Sequence, residues 1–216
     1  MMTQSYKQQL IPQLQKSYLS YYAIGNCFLT FDQQKSYHFR MNLSYFYEKI
    51  TQESLAKTVR TVRDLIDCIF SEEQTVTIVQ YIYWKKQLKH LLRPAQIRSD
   101  CFRPLLYEQG ILRVLDYSIK NLANLQKIGA SLVYQDFADL NPGYPRIKNP
   151  TIFVNLTRGI VLHIYDDRGC DVFCREEKDY LELTKQFQPY IDSYTTDMKQ
   201  LGYTVLTSSY GVRFTK

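Results

Sequence analysis

Two apolar, strand-length stretches separated by three residues constrain the fold of this chain more than any other feature. Thr151 to Leu156 and Ile160 to Tyr165 are strand-like, and Thr157-Arg158-Gly159 between them has the length and the glycine of a hairpin turn. A second turn, Asp166-Asp167-Arg168-Gly169, leads into a further strand from Asp171 to Cys174. These short connections predict neighbouring antiparallel strands.

The spacing of apolar residues predicts helices before and after this hairpin. Apolar side chains recur every three or four residues from about Ser44 to Phe70, and again from Glu176 to Tyr194. Similar patterns predict a shorter helix near Leu122 to Leu132 and another helix near residues 5–23. We therefore expect three to four helices packed on the strands.

Other segments complete the predicted sheet. Strands are predicted at residues 27–31, 37–43, 75–84, 110–117, 203–206 and 211–214. The basic stretch from Lys85 to Pro104 contains two prolines and is predicted to be a loop with a short helix. Together these elements predict an α+β fold with a mainly antiparallel sheet, in a single domain spanning residues 1–216.

Composition limits the class of protein. Of the 216 residues, 45% are hydrophobic and 22% are charged, which is typical of a globular domain and excludes a disordered, collagen-like or coiled-coil chain. No apolar run approaches the ~18 residues of a membrane span, and the first residues lack the basic-then-apolar order of a signal peptide. We expect a cytoplasmic protein that does not bind membranes.

Charge is unevenly distributed along the chain, although the net charge is only +6. The segment from Lys85 to Arg103 contains six basic residues and one acid, whereas the segment from Asp166 to Glu182 contains seven acids and three basic residues. A basic segment of this kind can bind nucleic acid or an acidic partner, or can simply be a solvated surface. A pI near 8.9 makes nucleic acid the less favoured partner.

Cysteines and sequence motifs give little support to cofactor or metal chemistry. Cys170 and Cys174 are four residues apart, but no further pair of ligands has matching spacing, so reduced and buried thiols are expected. The sequence has no glycine-rich phosphate loop, no nucleophile elbow and no metalloprotease motif. No cofactor, metal or catalytic residue is therefore predicted.

One group of residues leaves an enzymatic alternative open. His163 lies close in sequence to Asp166, Asp167 and Asp171, and such a group can bind a divalent cation or act in acid–base catalysis. The structural interpretation is favoured: Tyr165, Asp166, Asp167, Arg168, Gly169 and Asp171 form a turn motif. In that motif, an aspartate accepts backbone hydrogen bonds and Arg168 pairs with a carboxylate. Gly169 is expected to adopt a positive φ.

The same region carries a family resemblance. The strand Phe153 to Leu156, the strand Val161 to Tyr165 and the run Asp166 to Val172, followed by a helix rich in Leu and Tyr, resemble a bacterial family named domain of unknown function 3885. The likeness covers about residues 36–195, and leaves outside it the N-terminal helix and the extension from about residue 196 to residue 216.

The resemblance implies a function. Members of that family occur in Gram-positive bacteria, and some are encoded beside polymorphic toxins with an LXG-like N-terminal domain, which implies an immunity protein that binds a cognate toxin domain. Surfaces rich in Tyr and Arg suit such binding, and the chain has nineteen tyrosines. The candidate contact residues come from the two charged segments: Lys85, Lys86, Lys89 and Arg93, or Glu176, Glu177 and Asp179.

Overall fold

The computed structural model describes residues 37–44, 49–82, 101–107, 110–119, 121–147, 149–208 and 211–215. The predicted N-terminal helix, the predicted strand at 27–31 and the basic residues from Lys85 to Arg98 lie outside these ranges. None of the helices in the described ranges is long and apolar enough to cross a membrane.

The described strands form one sheet. The strands are β1 (Tyr37–Asn42), β2 (Thr75–Ile82), β3 (Cys101–Tyr107), β4 (Gly110–Ser118), β5 (Thr151–Asn155), β6 (Ile160–Ile164), β7 (Gly169–Cys174), β8 (Thr204–Ser208) and β9 (Gly211–Thr215). Their order across the sheet is β3-β4-β2-β5-β6-β7-β1-β9-β8. Every pairing is antiparallel except that of β1 with β9, which is parallel and joins His38 to Gly211. The predicted α+β class with a mainly antiparallel sheet is confirmed.

Three α-helices accompany this sheet in the described ranges: α1 (Gln52–Phe70), α2 (Ala123–Val133) and α3 (Glu177–Gln200). One face of the sheet, here called the helical face, packs with them into the core. Phe39, Phe153 and Leu162 contribute from the strands, and Leu55 and Leu183 from the helices. Each of these side chains is less than 4% exposed, so burying this face supplies much of the hydrophobic stabilisation.

The helices α1 and α2 approach each other closely at Gly129. A Cβ built at this position would lie 2.7 Å from Val62 Cγ1 and 2.8 Å from Ile66 Cδ1. The missing side chain of Gly129 therefore lets α2 pack directly on the apolar stripe of α1.

The predicted start of the long helix is wrong. Helix α1 begins at Gln52 rather than Ser44, because Thr51 caps it with extended backbone dihedral angles. The Thr51 side chain accepts a hydrogen bond from the Ser54 N–H at 3.1 Å, and the Ser54 hydroxyl oxygen accepts one from the Thr51 N–H at 2.8 Å. This reciprocal cap satisfies donors that the first helical turn leaves free.

The predicted loop from Lys85 to Pro104 is wrong at its end, because Cys101–Tyr107 form strand β3. Proline cannot donate a hydrogen bond, which argues against a central strand, but β3 is an edge strand of the sheet that the described residues form and tolerates Pro104. Pro104 is therefore compatible with a strand at this position, and the prediction of a loop for residues 101–104 was wrong.

Helix α3 is longer than predicted and is kinked. It continues from Tyr194 to Gln200, and Phe187 has non-helical dihedral angles of φ −108° and ψ 16° two residues before Pro189. A proline inside a helix removes one backbone donor and clashes with the preceding turn. Leu183 before the kink and Ile191 after it both pack into the core of the helical face. Beyond the kink, Tyr194 and Ser193 also reach polar side chains of β1 that point to the opposite face.

Candidate functional site

A group of polar side chains lies on the opposite face of the sheet, here called the second face. The register of three adjacent strands places Arg40 opposite Asp171, and Asp171 opposite His163. His163 is 6% exposed and Asp171 is 0% exposed, although both side chains point away from the helical face. Together with His38, Tyr165 and Tyr194 these residues are called the Arg40 cluster.

The centre of the Arg40 cluster is a bidentate ion pair between Arg40 and Asp171. Arg40 Nε donates to Asp171 Oδ1 at 2.7 Å, and Arg40 Nη2 donates to Asp171 Oδ2 at 2.8 Å. His38 Nε2 lies 2.9 Å from the same Oδ1, and its ring stacks on Phe173 with centroids 4.3 Å apart. The buried carboxylate is therefore satisfied through both of its oxygen atoms.

This arrangement fixes the charge of both partners. Burial alone would raise the pKa of Asp171, but the hydrogen bonds from His38 and Arg40 hold it well below its ordinary value. Burial opposes the charge of Arg40, but the hydrogen bond and the charge of Asp171 raise its pKa above the ordinary value. Both groups therefore stay ionised across the physiological range, so neither has the pKa of a proton-transfer group.

Two aromatic rings complete the surroundings of the Arg40 guanidinium. Its central carbon lies 5.5 Å from the ring centre of Tyr165 and 5.3 Å from that of Tyr194. Arg40 Nη1 also donates to the Tyr194 hydroxyl at 3.0 Å. These cation–π contacts connect the end of β6 and the second half of α3 to β1.

Two polar atoms of the cluster have no hydrogen-bond partner in the described part of the chain. They are Nδ1 of His163 and the hydroxyl of Tyr165, and both atoms are buried. Burial lowers the pKa of His163 to about 4, and burial followed by the charge of Asp171 raises the pKa of Tyr165 well above its ordinary value. Both side chains are therefore neutral near pH 7.

The turn between β6 and β7 has the predicted architecture. Asp166 is 2% exposed; its Oδ1 accepts the Arg168 N–H at 2.8 Å, and its Oδ2 accepts the Arg168 guanidinium Nε at 2.8 Å. The turn is tied to β1 by the Leu43 N–H, which donates to the Arg168 carbonyl at 2.9 Å. The predicted roles of an aspartate and Arg168 in shaping this turn agree with these bonds.

The predicted conformation of Gly169 is wrong. The described glycines with positive φ are Gly143, Gly159, Gly202 and Gly211, and Gly169 instead begins strand β7. Glycine is required there for space, because a Cβ would lie 2.7 Å from the carbonyl oxygen of Met41 and 3.1 Å from Tyr165 Cε2. Glycine is therefore needed at this position because the sheet leaves no space for a side chain, and not because the turn requires a positive φ.

The residues of the enzymatic alternative divide between two places. His163 and Asp171 belong to the Arg40 cluster, whereas Asp166 and Asp167 lie in the turn beyond the end of β6. Burial and the neighbouring charge of Asp166 raise the pKa of Asp167 to about 6. Within the described ranges, no group of three or more histidine, cysteine or acidic side chains is placed to hold a metal ion.

The acidic contact residues proposed from sequence occupy different environments. Asp179 is 9% exposed and accepts a hydrogen bond from Arg158 Nε at 2.9 Å. Glu176 and Glu177 are exposed at the start of α3, where Glu176 Oε1 also lies 3.1 Å from Arg175 Nε. Asp179 therefore has an internal partner, while the two glutamates face solvent. The basic set Lys85, Lys86, Lys89 and Arg93 lies outside the described residues.

Arg158 also closes the end of helix α1. Its Nη1 donates to the Cys68 carbonyl at 2.7 Å, and the Asn155 side-chain amide donates to the Ile69 carbonyl at 2.7 Å. These carbonyls belong to the last turn of a helix, where no further helical donors are available. The β5–β6 hairpin therefore provides the C-terminal cap of α1.

Sequence reasoning missed three members of the Arg40 cluster: His38, Arg40 and Tyr194. The alternation of β1 placed His38 and Arg40 on the face opposite Phe39, and the same alternation placed Asp171 on one face of β7. An arginine and an aspartate on adjacent strands were the signal that could have found the pair. The sequence alone does not show that β1 pairs with β7 in the sheet.

Comparison with known proteins adds family membership. The chain is 24% identical over 186 residues to Uncharacterized protein YnaE of Bacillus subtilis (strain 168), a match covering 73% of this chain and 85% of that protein. No solved structure matches the chain. The family model for domain of unknown function (DUF3885) matches residues 10–195, which includes the Arg40 cluster and the turn from Asp166 to Gly169. The match begins before residue 36 and includes most of residues 5–23, so the expectation that the N-terminal segment lies outside the family was wrong. The chain therefore belongs to the DUF3885 family.

Proposed function

We propose that this protein is an immunity protein, which neutralises a secreted polymorphic toxin in the cytoplasm by direct, stoichiometric binding and has no catalytic activity of its own. The observation that carries the proposal is the exposed outer face of α3, which presents Glu176, Glu177 and Leu181 to solvent. Leu181 is 56% exposed, so an apolar side chain is available beside the charges.

The scaffold behind this surface supports a binding role. The carboxylates of Asp166, Asp171 and Asp179 are each paired with an arginine of the same chain. Such pairs hold strands and helices in position, and their charges are already compensated. A scaffold whose buried carboxylates are already paired, with exposed charges at the start of a helix, suits a protein that binds a partner without undergoing chemistry.

The expected partner is a toxin domain with a basic surface. Complementary charge raises association rates about ten- to a thousandfold at low salt, which is useful when a toxin must be captured before it reaches its substrate. Affinity itself is expected to come from a buried centre of apolar and aromatic contacts, because exposed ion pairs contribute only about 0–1 kcal/mol each.

The proposal is tested by titrating the purified protein against the toxin domain encoded beside it, and against DNA and RNA, at two salt concentrations. We expect one-to-one binding of the toxin domain and inhibition of its activity at equal concentration. Micromolar binding of nucleic acid at physiological salt without toxin binding would contradict the proposal and favour a nucleic-acid module using Lys85 to Arg103.

A charge-reversal pair locates the contact surface. Glu176→Lys with Glu177→Lys should slow association about tenfold or more at low salt and change dissociation little. The matched control is Glu53→Lys with Asp139→Lys, which also reverses two exposed acidic residues, at the start of α1 and after α2. Equal effects of the two changes would assign the result to net charge and would exclude the start of α3 as the contact.

A further inference from the structure

Strand β8 lies at one edge of the sheet. It pairs with β9 on one side, and it is the last strand in the sheet order of the described residues. The outer side of an edge strand presents a row of backbone donors and acceptors that can pair with another strand. Among the described strands, the opposite edge of the sheet is β3.

The two edges differ in how they resist pairing. Strand β3 contains Arg103 and Pro104, and both residue types protect natural edge strands. Strand β8 has the sequence Thr-Val-Leu-Thr-Ser, with no charge, proline or glycine. Its central residue, Leu206, is 49% exposed, and the preceding Leu201 is 66% exposed. This edge therefore combines strand-forming residues with exposed apolar surface.

The sequence of β8 is compatible with pairing to a second copy of the same strand. If two copies pair antiparallel about a two-fold axis through Leu206, Thr204 lies opposite Ser208 of the other copy and Val205 lies opposite Thr207. Leu206 then lies opposite its own counterpart. Any charge at the centre of the strand would meet a like charge in such a pair, and β8 contains none.

We propose that β8 is a self-association edge, at which a second copy of this chain extends the sheet across a two-fold axis. The pairing would cover the exposed Leu206 side chains and satisfy the outward backbone groups of both strands. A contact of five residues per copy is smaller than a standard interface, so the dimer should exchange rapidly with monomer. This inference does not depend on the proposed immunity function.

Sedimentation velocity of the full chain tests the proposal, over a range from about 10 µM to about 1 mM that covers weak interfaces. We expect the weight-average sedimentation coefficient to rise with concentration toward that of a dimer. Leu206→Lys should abolish the rise, because two lysines would face each other at the axis. Leu181→Lys is the matched control, since Leu181 is also exposed but lies on α3.

A mixing experiment separates pairing from a general effect of added charge. Leu206→Lys and Leu206→Asp should each remain monomeric, and an equimolar mixture of the two should associate because opposite charges then meet at the axis. Circular dichroism of each variant checks that the fold is retained. A parent chain that stays monomeric at about 1 mM, or a Leu206→Lys variant that associates like the parent, would overturn the proposal.

Cross-linking gives the register independently. Directly opposed residues of antiparallel strands have Cα atoms about 4.5–5.5 Å apart, which a disulfide can span. Leu206→Cys should therefore form a covalent dimer under mild oxidation, and Leu181→Cys should form far less. Equal yields from the two variants would contradict a two-fold axis at Leu206.

Discussion

Arg40 on β1 and Asp171 on β7 lie directly opposite each other and form a bidentate ion pair, with hydrogen bonds of 2.7 Å and 2.8 Å. The two partners differ in burial: the Asp171 side chain is 0% exposed, whereas that of Arg40 is 32% exposed. Loss of the arginine leaves a carboxylate that water cannot reach. Loss of the carboxylate leaves a guanidinium that water can reach.

The first prediction follows from this asymmetry. Arg40→Met should lower the free energy of unfolding by about 3–5 kcal/mol at pH 7, and Asp171→Asn should lower it by a smaller amount, about 1–3 kcal/mol. The control is Lys57→Met, which removes the solvent-exposed pair with Glu53 and should lower the free energy of unfolding far less than either change in the buried pair. Urea unfolding of the three variants measures these differences.

The pH dependence of Arg40→Met provides a further check. Without the guanidinium, the buried carboxylate keeps only its hydrogen bond to His38, so we expect burial to outweigh that bond and to raise the pKa of Asp171 above its unfolded value of about 3.9. A raised pKa means that the folded state binds the proton more tightly, so the loss of stability should shrink as the pH falls from 7 to 4. A loss that does not change with pH over this range would show that the carboxylate is not the source of the effect.

The second prediction concerns Gly169. Gly169→Ala should destabilise the protein by about 1–3 kcal/mol, because its Cβ would press on the Met41 carbonyl and on the Tyr165 ring. Gly169→Val should lower the melting temperature further, and by more than Asp166→Ala does. Thermal unfolding followed by circular dichroism compares the three, and a Gly169→Val variant as stable as the parent would contradict the steric account.

The third prediction concerns Asp167, whose carboxyl is buried next to that of Asp166. Its pKa of about 6 in the folded protein exceeds the ordinary value of 3.8, so ionisation of this group opposes folding. The parent should therefore lose stability from this group as the pH rises from about 4 to about 6. Asp167→Asn should remove that part of the pH dependence and should be more stable than the parent at pH 7 by about 1–2 kcal/mol. Equal pH profiles would show the prediction wrong.

The fourth prediction concerns the Tyr165 hydroxyl, which is buried without a hydrogen-bond partner in the described part of the chain. Removing an unsatisfied buried hydroxyl while keeping the ring should leave stability unchanged or raise it by about 1 kcal/mol. Tyr165→Phe should therefore unfold at the same or higher urea concentration than the parent. Tyr194→Phe is the contrast, because it removes the acceptor of Arg40 Nη1 and should destabilise.

Local patterns predicted the secondary structure better than its spatial arrangement. The alternation in β1 and the turn residues around Gly159 and Gly169 act over a few residues, and they predicted the strands β1, β5, β6 and β7. The start of α1 was missed because the apolar pattern continues N-terminal to the cap at Thr51. Capping by Thr51 and Ser54 determines that boundary, and hydrophobic periodicity does not report it.

The sequence identified only three of the six residues of the Arg40 cluster, and the reason differs from that for the start of α1. Asp171 and His163 were found because they lie close in sequence, while Arg40 and Tyr194 approach them only through strand pairing and the kink in α3. The reason for Gly169 was also missed, because the atom that excludes a side chain belongs to Met41, on a strand more than a hundred residues earlier. Pairings between distant segments are the information that one sequence does not display.

The cap that Asn155 and Arg158 place on the end of α1 has a consequence for the order in which the chain can fold. The contacts join Asn155 to Ile69 and Arg158 to Cys68, segments separated by 86 and 90 residues. A ribosome must therefore complete more than half of the chain before α1 can acquire this cap. Contacts between such distant segments slow folding, because closing a long loop costs entropy before the contact can form. We expect α1 to protect its last backbone amides from hydrogen exchange only after the β5–β6 hairpin has docked.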